Sequence, residues 1–473
     1  MKKAKNVSTL LILSMIVVSA FLGRWTGYNA PHKFTFDEGL YVRMGLQLKE
    51  NPLNYTSQSV YNRYQKQGGR LPDYLRMPLF KHPPLYSYLI SLFYFIFGAA
   101  YKTAFMVSLA GGLATIIITF LVAAYIFNKD TGLLAALLVS IDPVNWLCSE
   151  KIWIDTTLTA LIWLTLLFLI KAILSNKSKF FFLAGITTGL ALLTKYSALI
   201  IFPIGLSWAL LYNYKLIKTK RFWSWILISL LLFLPWIIWN FIIYGADFFP
   251  IMITGQGDLK LNFYNLFTFW ILISSSAAAF LTYHFLRNKT FKERLLNKIS
   301  PAKAGRIGAV IFLVLLFSNP YMLKGLCGML NAIYVPSSGW AFAFFSKETR
   351  LFYFKRLIEL SPFYIISFLS LPFIPALRSK QSSLFIAAFW IMLIFSLHRN
   401  FQSRYILPAT PALLIIASGA ILKIIEKIKS YSSPSQLKIS IVRVSLTVFL
   451  IYCFLKTIFI NLCLSLPNRS CYF

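Results

Sequence analysis

The sequence predicts an all-α polytopic membrane protein with about 13 transmembrane helices, and three observations predict it. First, 58% of its 473 residues are hydrophobic and only 13% are charged, against about 45–50% and about 25% in soluble domains; mean hydropathy is +0.68. Second, apolar runs of roughly 17–25 residues, the length a helix needs to cross a hydrocarbon core, recur along the chain. Third, 47 Lys and Arg face 14 Asp and Glu, a formal net charge of +33, and the basic clusters lie between the apolar runs. A nucleic-acid binder would carry such an excess on polar surfaces, so no nucleic-acid partner is expected. A soluble enzyme, a fibre and a disordered chain are excluded with it.

Taken in order, Lys2, Lys3 and Lys5 precede an apolar stretch from Val7 to Leu22. With many further spans behind it, this stretch reads as a retained anchor at 7–23 rather than a signal peptide. The next spans are expected near 103–127, 132–148, 157–174, 180–194, 197–212, 222–243, 263–285, 307–319, 361–377, 382–397, 407–422 and 439–460. Placing the N-terminus in the cytoplasm makes the loops alternate. The inside segments then hold Lys177/Lys179, Lys215/Lys218/Lys220/Arg221, a dense run from Arg287 to Arg306, Arg378/Lys380 and Lys423/Lys427/Lys429. This is the positive-inside bias, and it puts the C-terminus outside a cell membrane that the chain crosses many times. The five cysteines are scattered, with no CxxC and no His partner at metal spacing, so neither a disulfide framework nor a zinc site is indicated.

One long extracytoplasmic loop, 24–98, separates the first two spans. It is aromatic and Pro-punctuated, and it holds Asp37, Glu38, Glu50 and Asp73. Within it Phe36–Leu48 predicts a short interfacial helix, and Leu85–Phe97, too short to cross easily, predicts a second interfacial or re-entrant element. A second outside loop, about 318–360, is aromatic and basic (Trp340, Phe344, Lys347, Arg350) and long enough to form a lid or binding surface. The expected organisation is a transmembrane domain over 1–425, including loop 24–98, followed by a C-terminal loop and last span over 426–473.

The scarcity of acids makes each one readable. None lies in the middle of an apolar run; Asp142, followed by Pro143, comes nearest. The alternative reading, a polytopic transporter or lipid-linked sugar flippase, predicts midplane charges and an inverted repeat, and neither is found. The outside acids gather after the first span (Asp37, Glu38) and at the next outer junction (Glu150, Asp155). Thr35-x-x-Glu38 also fits a capping box that opens a helix. Asp155, before Thr156-Thr157-Leu158, also suits the N-terminal end of the next helix. Asp37 has no part in the cap. Two acid sites on one membrane face suggest interfacial chemistry.

In sequence order the chain shows Phe36-Asp37-Glu38-x-x-Tyr41, then Lys81-His82-Pro83-Pro84-Leu85-Tyr86 and Phe97-Gly98. Asp155 follows soon after Trp153. Then come Ala184-Gly185 and Gly189-Leu190-Ala191-Leu192-Leu193-Thr194-Lys195, and last Arg404-Tyr405-Ile406-Leu407-Pro408 with Pro411. Over roughly 1–425 this series resembles the protein O-mannosyltransferase and aminoarabinose transferase group of C-type (GT-C) glycosyltransferases. The resemblance implies a GT-C fold and a membrane glycosyltransferase, a hexosyl- or pentosyltransferase that uses a polyprenyl-phosphate-linked sugar as donor. The acceptor would be a lipid, a glycan or a protein at the extracytoplasmic face, and membrane lipid would surround the site. It implies Asp37 as the catalytic acid-pair residue, with Glu38 beside it and Asp155 as a second acid. It also implies Lys195 as a phosphate contact and Arg404-Tyr405 as a late element near the site. Two departures stand out: Lys81-His82 replaces the Glu-Lys that aminoarabinose transferases tend to carry before Pro-Pro, and Leu40 replaces their Arg three residues after the Asp.

The chemistry suits these residue types. A polyprenyl-phosphate sugar leaves a phosphate dianion when its anomeric carbon is attacked, and cations such as Lys81, His82, Lys195 and Arg404 stabilise that charge. A hydroxyl acceptor needs a general base, the role expected of Asp37, and attack opposite the phosphate inverts the anomeric centre. Hard divalent cations take carboxylates, so Asp37, Glu38 and Asp155 could hold one, although nothing in their spacing demands a metal and no other cofactor is implied.

Overall fold

A computed structural model describes residues 2–29, 35–65, 73–245, 352–370, 380–397, 402–430 and 436–465. In chain order the α-helices are α1 (Lys2–Asn29), α2 (Phe36–Glu50), α3 (Gln58–Gln65), α4 (Leu85–Phe97), α5 (Tyr101–Ile126), α6 (Lys129–Ser140), α7 (Pro143–Ser149) and α8 (Asp155–Ser175). They continue as α9 (Ser178–Thr194), α10 (Ile201–Asn213), α11 (Lys220–Tyr244), α12 (Phe352–Leu360), α13 (Phe363–Ser370), α14 (Ser382–Leu397), α15 (Thr410–Ser430) and α16 (Gln436–Ser465). Among the described residues seven helices are long and apolar enough to cross a membrane, or eight if one bent pair counts as a span. The protein is therefore a multi-pass membrane protein. The expected spans at 263–285 and 307–319, and most of the expected outer loop at about 318–360, lie outside the described residues.

One expected span takes a different form. The stretch 132–148 is not one helix but α6 and α7, bent by 59° at the break. Pro143 cannot donate to the helix ladder and restricts Asp142 before it. Asp142 starts a new helix instead, accepting from the Asn145 backbone N–H at 2.9 Å and from the Tyr364 hydroxyl.

The chain forms two compact units. The first comprises 1–30, 115–147 and 293–473; the second comprises 31–114 and 148–292. In the first unit α6, α13 and α14 pack on α15, and α1 packs on α6. Arg24 of α1 is fully buried. Its Nη2 donates to the Ser140 carbonyl at 2.9 Å and to Asn145 Oδ1 at 2.8 Å, and its guanidinium lies 4.7 Å from the centre of the Trp146 ring. Nη1 donates to the Ala20 carbonyl at 3.1 Å, so both terminal nitrogens have protein acceptors, which offsets much of the cost of burying an Arg there.

In the second unit α9 lies against both α8 and α11, while α2 packs on α4. The α9–α11 contact is close because Gly185 and Gly189 face it. A Cβ on Gly185 would stand 2.8 Å from Ile228 Cβ, and one on Gly189 would stand 2.7 Å from Leu232 Cβ. Helices in lipid gain little from burying apolar surface, so close backbone approach at small residues carries their packing. On α11 the buried residues Phe222, Trp225, Ser229, Phe233, Trp236 and Asn240 repeat every three or four positions. Leu227, Leu231, Ile238, Phe241 and Ile242 on the other side are exposed, as expected of a helix with one protein-facing and one lipid-facing stripe.

Candidate active site

The acid pair sits where the sequence opens α2. Thr35 is the N-cap, and the capping box is complete: Glu38 N–H donates to Thr35 Oγ1 at 3.4 Å, and Thr35 N–H donates to Glu38 Oε2 at 2.7 Å. Glu38 is fully buried. Its Oε2 also accepts from the Thr35 hydroxyl at 2.9 Å and meets Lys151 Nζ at 3.6 Å, while Oε1 accepts from the Ile152 N–H at 3.3 Å. Both carboxylate oxygens are thus engaged in tying the start of α2 to the 150–154 turn. The neighbouring Asp37 is only half-buried.

The second acid, Asp155, is the first residue of α8, where the helix dipole favours a negative side chain. Its Oδ1 receives Lys195 Nζ at 2.9 Å, and both side chains are largely buried. Lys195 directly follows α9 on an extended residue, so the α8–α9 packing that brings the two helix ends together also sets this ion pair. The α8 start is pressed closely against α5 as well: a Cβ on Gly111 would lie 2.8 Å from Thr157 N.

A hydroxyl node connects the acid segments. Ser108 of α5 donates to the Trp153 carbonyl at 3.0 Å and accepts from the Trp153 N–H at 3.2 Å. Its single hydrogen is then used, so in the 2.6 Å contact with Tyr86 the phenol must donate. The Trp153 indole N–H reaches Thr35 Oγ1 at 3.2 Å. The segment carrying Asp37 and Glu38, the segment leading into Asp155 and the first turn of α4 are therefore joined by consecutive hydrogen bonds.

Lys81 and His82, both half-buried, precede the Pro83-Pro84 turn that starts α4. The Tyr55 hydroxyl donates to the His82 carbonyl at 3.0 Å. Burial pushes this phenol well above its ordinary pKa, so it stays a neutral donor. The Tyr55 ring meets the Trp236 ring edge-on at 5.8 Å, and the Trp236 indole donates to the Tyr196 hydroxyl at 2.9 Å. Tyr196 is the residue after Lys195. Three rings in edge-on or hydrogen-bonded contact, Tyr55, Trp236 and Tyr196, thus link the Lys81-His82 turn to the Lys195 segment.

The second unit accordingly holds Asp37, Glu38, Lys81, His82, Asp155 and Lys195. Arg404 and Tyr405 belong to the first unit, on a 3-10 turn (Ser403–Ala409), with the Arg404 guanidinium 5.3 Å from the centre of the Tyr405 ring. Among the described residues no three His, Cys, Asp or Glu side chains group closely enough to hold a metal ion; Glu38 faces Lys151 and Asp155 faces Lys195 instead. Sequence reasoning missed Lys151 and Ser108. Lys151 carried a signal, as the one cation between Glu150 and Asp155 in an acid-bearing junction. Ser108 carried none, being one hydroxyl in an apolar helix.

Residues 81–239 match the family model described as dolichyl-phosphate-mannose-protein mannosyltransferase. No curated protein matches the chain in sequence. Among solved structures, ArnT from Cupriavidus metallidurans bound to undecaprenyl phosphate superposes with a TM-score of 0.51 at 16% identity, covering 87% of this chain and 60% of that one. The Archaeoglobus fulgidus oligosaccharyltransferase tethered with an acceptor peptide superposes with a TM-score of 0.55 at 14% identity, covering 99% of this chain and 56% of that one. The chain thus spans about three-fifths of the length of these neighbours, and at such identities the likeness is one of fold. The chain therefore shares the fold of these membrane enzymes, and its 81–239 segment matches the mannosyltransferase family model.

Proposed function

We propose that this protein is a membrane glycosyltransferase that moves a hexose or pentose from a polyprenyl-phosphate donor to an acceptor at the extracytoplasmic face, with inversion. The observation that carries the reading is the hydrogen-bonded joining of the Asp37-Glu38 segment to the segment that ends in the Asp155–Lys195 ion pair. Undecaprenyl phosphate bound to the ArnT neighbour supports the donor class, and the acceptor peptide on the archaeal neighbour supports a protein among the acceptors.

In the step itself an acceptor hydroxyl oxygen forms a bond to the anomeric carbon while the carbon–oxygen bond to phosphate breaks. The electron pair leaves with the polyprenyl phosphate, whose charge rises from one to two negatives. The hydroxyl proton passes to Asp37, the half-buried member of the acid pair. Glu38, bonded at both oxygens, belongs to the set by holding Asp37 in place. Asp155 acts by fixing where the Lys195 ammonium sits, and Lys195, with Lys81 and His82, meets the growing phosphate charge. Arg404 and Tyr405 are donor-phosphate candidates from the resemblance alone, tested separately by Arg404→Ala in a donor-binding measurement.

The test uses membranes containing labelled polyprenyl-phosphate sugar. Asp37→Asn should lower transfer by about 10²-fold or more with the protein present at parental levels; unchanged transfer overturns the assignment. Lys195→Ala should weaken donor binding, and unaltered donor affinity removes Lys195 from the phosphate site.

A further inference from the structure

The helices that hold Asp155 and Lys195 have a second end of different chemistry. From Asp155 to Ser175 α8 runs for 21 residues, about 30 Å at 1.5 Å per residue, and α9 returns over Ser178–Thr194. Lys171, Lys177 and Lys179 therefore lie roughly a helix length from the acid site. The 3-10 turn Tyr214–Lys218 and the start of α11 add Lys215, Lys218, Lys220 and Arg221. All of these except Lys171 are exposed, and no Asp or Glu occurs between Thr156 and Gly245.

The cations are held together. Asn176, in the left-handed region at φ 52°, turns the chain between α8 and α9, and its carbonyl accepts from Arg221 Nη1 at 2.9 Å. The Trp223 indole donates to the Ile217 carbonyl at 2.8 Å, holding the turn against α11. Lys171 and Lys179 both approach one Phe180 ring, at 5.9 and 5.2 Å from its centre. Lys220 and Arg221 also sit in the first turn of α11, against the positive end of its dipole, where an anion would relieve the repulsion. Trp223 and Tyr214, 55% and 42% exposed, flank the group, and such rings settle at the headgroup level of a bilayer.

We propose that this end of the unit is a binding site for the anionic headgroups of glycerophospholipids. The positive-inside bias explains the sign of such loops. It does not explain why three chain segments are bonded to one another so that their cations converge beside two exposed amphipathic rings. A phosphodiester headgroup supplies a counter-charge to a segment that carries no Asp or Glu of its own, and its acyl chains continue along the exposed apolar stripe of α11 that begins at Leu227.

The test uses the full-length protein in neutral detergent, titrated with phosphatidylglycerol or phosphatidylcholine and read by native mass spectrometry. The parent should retain phosphatidylglycerol at least about tenfold more tightly than phosphatidylcholine, and raising the salt concentration should erode that preference. The combined variant Lys215→Gln, Lys218→Gln, Lys220→Gln should lose about tenfold or more in phosphatidylglycerol binding with phosphatidylcholine unaffected. The matching Lys→Arg variant should keep binding, which separates charge from folding, and Lys102→Gln on α5 should change nothing. Equal retention of the two lipids by the parent overturns the proposal without any variant. Unchanged binding in the Gln variant does so too, as does displacement of phosphatidylglycerol by equimolar soluble glycerol phosphate.

Discussion

Glu38 and Asp37 are adjacent in sequence and differ in what surrounds them. Glu38 has no exposed surface, and its ammonium partner Lys151 is itself nearly buried. Removing one member of such a pair strands a desolvated charge, so Lys151→Met should cost about 3–5 kcal/mol of stability, and adding Glu38→Gln should recover part of the loss. A double-mutant cycle on thermal denaturation in detergent checks this; additive effects would show that the pair is not coupled. The Ser108 node allows a graded comparison. Ser108→Ala removes two buried hydrogen bonds at once, the one to the Trp153 C=O and the one from the Tyr86 hydroxyl, each loss costing about 1–3 kcal/mol, while the Trp153 N–H keeps the Lys151 carbonyl at 2.8 Å; Tyr86→Phe removes one donor at about 1 kcal/mol. The Ser108 substitution should therefore lower the Tm more; equal shifts would mean that the Trp153 backbone has found other partners. The capping box at Thr35 and Glu38 was legible because it is local, three residues apart on one turn. The Glu38–Ile152 bond was not, because its partners are 114 residues apart.

At the scale of elements, hydropathy located helices well, and tertiary contacts decided how they end and break. The 132–148 stretch is apolar enough to suggest one span, yet Pro143 and the hydrogen bonds to Asp142 divide it. Glycines that look ordinary in an apolar run set the helix spacing. Gly185→Ala should destabilise the α9–α11 contact by about 1–3 kcal/mol, because its Cβ would meet Ile228 Cβ at 2.8 Å and the Trp225 carbonyl at 3.0 Å. Lys195 closes the same helix, so this substitution should also weaken the donor binding proposed for it. Melting and donor-binding measurements on one sample check both; a lower Tm with unchanged donor affinity would uncouple the helix packing from the site.

For the whole molecule, the two ends of α8 and α9 carry opposite expectations about sidedness. A cysteine placed at exposed Asn54, in the loop with the acid pair, should react with an impermeant maleimide on intact cells. One placed at exposed Lys177 should react only after permeabilisation. The reverse pattern would put the acid site in the cytoplasm and end the extracytoplasmic reading. The sequence by itself determined the membrane class, most helix positions and the identity of the rare acids worth attention, because hydropathy, span length and charge bias are sums over neighbouring residues and need no knowledge of contacts. Only the tertiary structure decided how those acids are used. Glu38 is committed to a buried ion pair with Lys151, Asp155 to Lys195, and Asp142 to the Tyr364 hydroxyl, because each of these partners comes from a distant segment that helix packing alone brings within bonding distance.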